Sequence, residues 1–237
     1  MRIGIAAVTV LTCIVGMQAA PLFAAPLIYK DVERRIRAGE FDNAESLLNA
    51  YLSSSDKDVT ALSMLGRLYQ DTGNKKKAAQ FLKKAVKIDP GYPPAHFFLG
   101  KNYYKEMKDD EAVSEFAVFR SRMEQMSSLD EEEKAFYIDA LDEISEIYFN
   151  LKMFDDFYAV NQRILEISPK DQAAVYNMGV YYYLCARNNS KAYQLFNKVI
   201  ALAPDSDLAK KATYTIEFMR ANPDPRMAPD LDFIDKL

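Results

Sequence analysis

The sequence is short of the residues that most site chemistry needs. It holds one histidine, two cysteines and no tryptophan in 237 residues. A lone histidine, His96, leaves little for imidazole-based metal binding or acid–base work, and its expected role is packing between helices. No Ser-His-Asp set, glycine-rich phosphate loop or HExxH pattern occurs. Cys13 and Cys185 cannot build a disulfide framework in a domain from which the N-terminal segment has been removed. Cys185 reads as a buried thiol, with an intermolecular disulfide as its alternative. An excess of positive charge is missing too. The formal net charge is −4, so the footprint of nucleic-acid binding is absent. Charges read as mixed rather than blocked, as on helices with solvated faces. No catalytic residue, metal or cofactor is expected.

What is present is apolar spacing. Nearly half the residues are hydrophobic, 49%, enough for a packed core. From Leu62 to Pro90 large apolar residues recur three and four apart, the spacing of one helix face. The segment reads Leu62-x-x-Leu65-Gly66-x-x-Tyr69, then Ala78-x-x-x-Leu82-x-x-Ala85, then Pro90. Asp71-Thr72-Gly73-Asn74 between them is a turn signal. A glycine inside a helix costs about 1 kcal/mol relative to alanine, so Gly66 implies a close helix crossing, with Ala78 expected opposite it. The pattern returns at Leu99-Gly100-x-x-Tyr103 with Ala112-x-x-x-Phe116. It returns again at Met178-Gly179-x-x-Tyr182 with Ala192-x-x-x-Phe196 and Pro204.

On these residues the sequence resembles the tetratricopeptide repeat (TPR) family. Its hairpins, about 34 residues long, carry a Trp-x-x-Leu-Gly-x-x-Tyr, Ala-x-x-x-Phe, Pro pattern. The resemblance implies an all-α fold, a right-handed superhelical solenoid of about five hairpins with a C-terminal capping helix. Repeats are expected at about 26–56, 59–92, 93–126, 138–171 and 172–205, with the capping helix at 206–221. The link Ser53 to Asp56 is expected to cap the second hairpin. Met126 to Tyr137 is an insertion, and Ser128-x-x-Glu131 reads as a capping box. The acids Asp130 to Glu133 then lie at a helix start, where the dipole favours them; contiguous acids point around a helix and do not converge on a metal. The fourth repeat is irregular. Ser145 stands at the glycine position, Phe157 at the alanine position and Asn161 where a large apolar residue belongs, so its helices are expected to be splayed or shifted by a residue.

Residues 1–25 read as a targeting segment: Arg2, an uncharged apolar run from Ile3 to Met17, and small residues at Ala19-Ala20 and Ala24-Ala25. Three readings stay open, a cleaved signal peptide, a retained anchor, and lipidation at Cys13. Val10-Leu11-Thr12-Cys13 resembles a bacterial lipobox, with threonine departing from the usual small residue. All three place the folded part outside the cytoplasm, in the periplasm or cell envelope. The tail 222–237 carries Pro223, Pro225 and Pro229 and is expected to lie outside regular structure.

The family resemblance implies binding on a concave surface lined by the first helix of each repeat. Carried onto this sequence, it nominates Arg67, Gln70, Phe97, Lys101, Tyr104, Lys105, Asp142, Glu146, Tyr176, Asn177 and Tyr183. The first half of that groove is basic and the second acidic, with aromatics throughout, which suits an extended peptide or protein segment. The family's clamp for a C-terminal carboxylate is not matched, because Ser63, Met64, Arg67 and Pro94 stand at four of its positions. The expectation is a non-enzymatic scaffold for another envelope protein. Nucleic acid is not an expected partner, and a membrane is one only through a retained leader or lipidated Cys13. The alternative is an accessory module of an envelope transporter, holding an apolar small molecule among Phe97, Tyr104, Tyr176 and Tyr183. An enzyme would require Asp142 or Glu146 to be deeply buried with a raised pKa.

Overall fold

A computed structural model describes residues 27–222. The leader, Cys13 and the tail beyond residue 222 lie outside the described residues. The described residues form eleven helices and no strand. Five hairpins follow in order: α1 (Leu27–Arg37) with α2 (Phe41–Leu52), α3 (Val59–Asp71) with α4 (Lys75–Ile88), α5 (Pro93–Lys105) with α6 (Asp109–Gln125), α7 (Glu131–Asn150) with α8 (Phe154–Ile167), and α9 (Gln172–Leu184) with α10 (Asn189–Leu202). A last helix, α11 (Asp207–Ala221), packs on α10 and α9. It buries Ala209, Ala212, Ile216 and Met219, which covers the end of the stack.

The hairpins close through a repeated steric fit. A Cβ built on Gly66 would lie 2.5 Å from Leu82 Cγ, and one on Gly100 would lie 2.6 Å from Phe116 Cε1. On Gly179 it would lie 2.7 Å from Phe196 Cε1. The partner of Gly66 is therefore Leu82, not Ala78, although Ala78 is fully buried nearby. Hairpin four solves the same crossing with hydrogen bonds. Asn161 Nδ2 donates to Ser145 Oγ at 2.6 Å and to the Phe157 carbonyl at 2.8 Å. Asn177 Nδ2 donates to Asn161 Oδ1 at 3.0 Å. Ser145 and Asn161 stand sixteen apart, as do Gly66 and Leu82. The register of this hairpin is thus kept rather than shifted, and a polar pair replaces glycine and ring.

The turns repeat as well. Gly39 and Gly73 take the left-handed conformation (φ +74° and +79°), and Met107, Lys152 and Arg187 take it in the next three hairpins (φ +58°, +59° and +51°). Helix starts differ from the sequence expectation at two places. Asp58, not the Ser53–Asp56 link, caps α3 by accepting from the Ala61 amide. The capping box of α7 is Asp130 with Glu133, two residues later than Ser128 and Glu131. An aspartate there satisfies the amide and also meets the positive end of the helix dipole.

One junction is built unlike the others. Elsewhere the second helix of one hairpin packs on the first helix of the next, α2 on α3, α4 on α5 and α8 on α9, whereas α6 and α7 barely touch. Large rings fill the gap between hairpins three and four. Phe119 stacks edge-on against Phe136 and Tyr137 (centroids 6.1 and 5.8 Å), and Phe97 against Phe136 (5.8 Å). Phe116 meets Tyr148 at 6.5 Å. Rings in place of small residues hold the helices apart, and the inserted segment before α7 supplies the slack. The core stays filled while the backbones separate.

Candidate functional site: the cleft between α5 and α7

Beside this junction lies a cleft of about 180 Å³ lined by Lys101, Tyr104, Lys105, Glu143, Glu146, Ile147 and Asn150. One wall is α5, where Lys101, Tyr104 and Lys105 share a face at i, i+3 and i+4. The other is α7, where Glu143, Glu146, Ile147 and Asn150 repeat the same spacing. Lys101 pairs with Glu143 across the cleft and sits 5.3 Å from the Phe97 ring. Asn150 Nδ2 reaches Tyr104 Oη at 3.4 Å. Lys105 and Glu146 are exposed, and neither has an ion-pair partner among the described residues. The cleft therefore presents one free cation and one free carboxylate over a floor of Tyr104 and Ile147.

Four of the eleven nominated residues, Lys101, Tyr104, Lys105 and Glu146, meet in this cleft. The structure disperses the rest. Phe97 is 3% exposed and wedged among Phe98, Phe119 and Phe136, so it is core rather than contact surface. Tyr183 is fully buried, and Tyr176 packs 5.5 Å from Phe196. Neither ring is offered to a ligand. Gln70 is buried and spends its amide on the Phe98 carbonyl at 2.6 Å, tying α3 to α5. Asn177 belongs to the Ser145–Asn161 network. Arg67 is claimed by Glu33 at 3.0 Å and Asp71 at 3.8 Å, with Phe98 under its guanidinium at 5.7 Å. The basic half of the groove is thus largely neutralised within the chain. Phe97, Tyr104, Tyr176 and Tyr183 do not line one cavity: Phe97 lies in the core of the first four hairpins, Tyr176 and Tyr183 in that of the last.

Sequence reasoning missed Glu143, Ile147 and Asn150. The signal was available, since all three share a helix face with Glu146, but the family's groove positions do not include them.

Asp142 stands beside the cleft residues on α7. Its Oδ1 is buried without a hydrogen-bond partner. Burial pushes its carboxyl up to about 7, with Asp171 and Asp139 adding to the shift. Glu146 is exposed. The native state holds a proton on Asp142 that the unfolded chain releases at lower pH. Stability is therefore lost as pH rises from about 4 toward about 7. Asp142→Asn should raise stability by roughly 1–2 kcal/mol near pH 8, the full shift being discounted for partial exposure. Little change is expected near pH 4. Urea unfolding at both pH values measures it, and an equal effect at both would contradict this account.

The remaining chemistry-bearing groups are structural. His96 is 5% exposed, with Nδ1 2.6 Å from Glu115 and Nε2 3.1 Å from the Pro90 carbonyl. Burial, helped by Asp155, pushes the Cys185 thiol up to about 11, which keeps it protonated and slow to react. Among the described residues no group of three or more His, Cys, Asp or Glu is placed to hold a metal, and no helix is long and apolar enough to cross a membrane.

Family profiles described as Tetratricopeptide repeat match residues 29–93 and 173–206. Those two segments are tetratricopeptide repeats. Solved structures of similar fold include the MamA protein, with 21% identity over 79% of this chain and 93% of that one, at a TM-score of 0.57. MamA from Desulfovibrio magneticus RS-1 is 16% identical, covers 76% and 96% of the two chains and has the same score. YrrB, described as a TPR protein with an unusual peptide-binding site, is 21% identical over 79% and 90%, at 0.56. At these identities the likeness shows the fold alone. No curated protein sequence matches the chain. The matched TPR segments are hairpins one, two and five; hairpin four, which supplies the α7 wall of the cleft, lies outside them.

Proposed function

We propose that this TPR protein is a non-enzymatic scaffold of the cell envelope that holds an extended segment of another protein in the α5–α7 cleft. The carrying observation is the unpaired Lys105 and Glu146 on opposite walls over Tyr104 and Ile147. A segment presenting an acidic and a basic side chain around one apolar residue complements that arrangement. The peptide-binding site of the similarly folded YrrB supports the reading. So does the burial of Phe97, Tyr176 and Tyr183 in two separate clusters of the described core, away from Tyr104 in the cleft. Export rests on the leader sequence, residues 1–25.

A photoreactive phenylalanine in place of Tyr104 should form an adduct with a discrete polypeptide in envelope extracts. The same residue in place of Tyr214, exposed on α11, should not. A small-molecule adduct, or the same adduct from both positions, would overturn the peptide reading. With the captured partner, Lys105→Glu with Glu146→Lys should lower affinity about tenfold, as two rim charges worth under 1 kcal/mol each are reversed. Native circular dichroism and unchanged affinity together would remove these charges from the site.

A further inference from the structure

Helix α4 carries six lysines and no carboxylate, in the sequence Lys75-Lys76-Lys77-Ala78-Ala79-Gln80-Phe81-Leu82-Lys83-Lys84-Ala85-Val86-Lys87-Ile88. The charges are blocked here, not mixed. Ala78, Leu82 and Ala85 are the buried stripe of the helix. Lys76, Gln80, Lys83 and Lys87 run along the opposite side at i, i+4, i+7 and i+11, with Lys84 beside them. All six lysines are exposed.

What sets α4 apart is the density of its lysines, none of them in an ion pair among the described residues. Lys101, Lys108, Lys134 and Lys210 each pair with a carboxylate. Among the described residues none of the six lysines of α4 does. Lys75 donates to the Lys105 carbonyl. Lys77 and Lys83 lie over the rings of Tyr69 and Tyr103 at 4.7 and 5.3 Å. Lys76, Lys84 and Lys87 have nothing opposite them. A net-acidic protein with carboxylates to spare leaves its densest positive face uncompensated.

We propose that this face is a contact surface for an anionic lipid bilayer. The face is a row of exposed, flexible point charges. It has no arginine fork and no ring of its own among the lysines, so it reads charge density rather than the shape of a segment. Stacking aromatics and arginines, which a nucleic-acid surface would use, are missing from it. The cleft is lined by the first helices of hairpins, α5 and α7, while α4 is a second helix. Engaging a bilayer through α4 therefore uses none of the cleft residues. The sequence also carries the apolar run Ile3 to Met17, and one apolar segment together with a basic patch is the two-signal arrangement of stable membrane attachment. Each lysine near an anionic surface is worth about a fivefold gain in partitioning, so the three free ones give on the order of a hundredfold. The effect fades as salt shortens the screening length.

The test is an amine-acetylation footprint of the full chain with vesicles of phosphatidylcholine alone or mixed with phosphatidylglycerol. At low salt the mixed vesicles should slow modification of Lys76, Lys84 and Lys87 about tenfold relative to the exposed Lys152 and Lys170. Phosphatidylcholine alone should not, and molar salt should abolish the difference. A leader inserted in either vesicle does not alter this comparison, because it reads lipid charge. Replacing Lys76, Lys84 and Lys87 by glutamine should remove the preference for mixed vesicles. Equal labelling with both vesicles, or protection spread evenly to Lys152 and Lys170, overturns the proposal. Protection by polyglutamate but not by mixed vesicles would also overturn it and assign the face to an acidic polypeptide.

Discussion

Gly100→Ala should destabilise the protein by about 2 kcal/mol, although alanine is the better helix former by about 1 kcal/mol. The added methyl would sit 2.6, 2.7 and 3.1 Å from three carbons of the Phe116 ring. That ring is fully buried and lies between Phe97 at 6.4 Å and Tyr148 at 6.5 Å. A rigid ring in such a setting cannot swing aside, so α5 and α6 must separate. The strain reaches the cleft, because α5 is one of its walls. At Gly66 the neighbour is Leu82, which can change rotamer, so Gly66→Ala should cost less. Thermal unfolding reads the difference, about 4–8 °C for Gly100→Ala in a protein of this size. An unchanged midpoint would mean that the Phe116 ring gives way at the α5–α6 crossing, against this account.

The same crossing explains what the sequence could reveal and what it could not. Mid-helix glycines are legible because helix propensity disfavours them, and their recurrence at Gly66, Gly100 and Gly179 marks the hairpins. Their partners were read less well. The small Ala78 seemed the natural neighbour of Gly66, but the space left by a missing Cβ is filled by a large side chain, Leu82, as it is by Phe116 and Phe196. The insertion before α7 was visible as a break in period, yet its consequence was not. Only packing shows that Phe97, Phe119, Phe136 and Tyr137 fill the junction between hairpins three and four, beside the cleft that α5 and α7 line. Family groove positions carry no such information. They nominated Tyr183 and Phe97 because both lie on first helices, and could not tell a ring turned into the core from one facing the groove. Charge followed the same course. The basic residues of the groove were visible, but the neutralisation of Arg67 by Glu33 and of Lys101 by Glu143 depends on helices far apart in sequence.

Hairpin four offers the sharpest test of how the crossing is built. Asn161→Leu alone should destabilise the protein by roughly 3 kcal/mol. The leucine would meet the Ser145 hydroxyl where hairpins two, three and five have no Cβ. It would also take the 2.6 Å donor from buried Ser145 Oγ and the 3.0 Å acceptor from the half-buried Asn177 amide, leaving the two only their 3.5 Å contact. Each such loss costs about 1–3 kcal/mol. Ser145→Gly alone should cost about 1–2 kcal/mol, through glycine's backbone entropy and the bond lost to Asn161. Together the two substitutions rebuild the Gly66–Leu82 pair at the same sixteen-residue spacing. The double variant should therefore be more stable than Asn161→Leu alone, with a coupling of at least about 1 kcal/mol. Asn177 remains short of an acceptor, so recovery should be incomplete, and Asn177→Ala in that background should cost little more. Denaturant midpoints of the two single variants and the double complete the cycle. Simple additivity would mean that the polar pair is not a replacement for the glycine crossing, and that hairpin four is held by Phe157 and its neighbours instead.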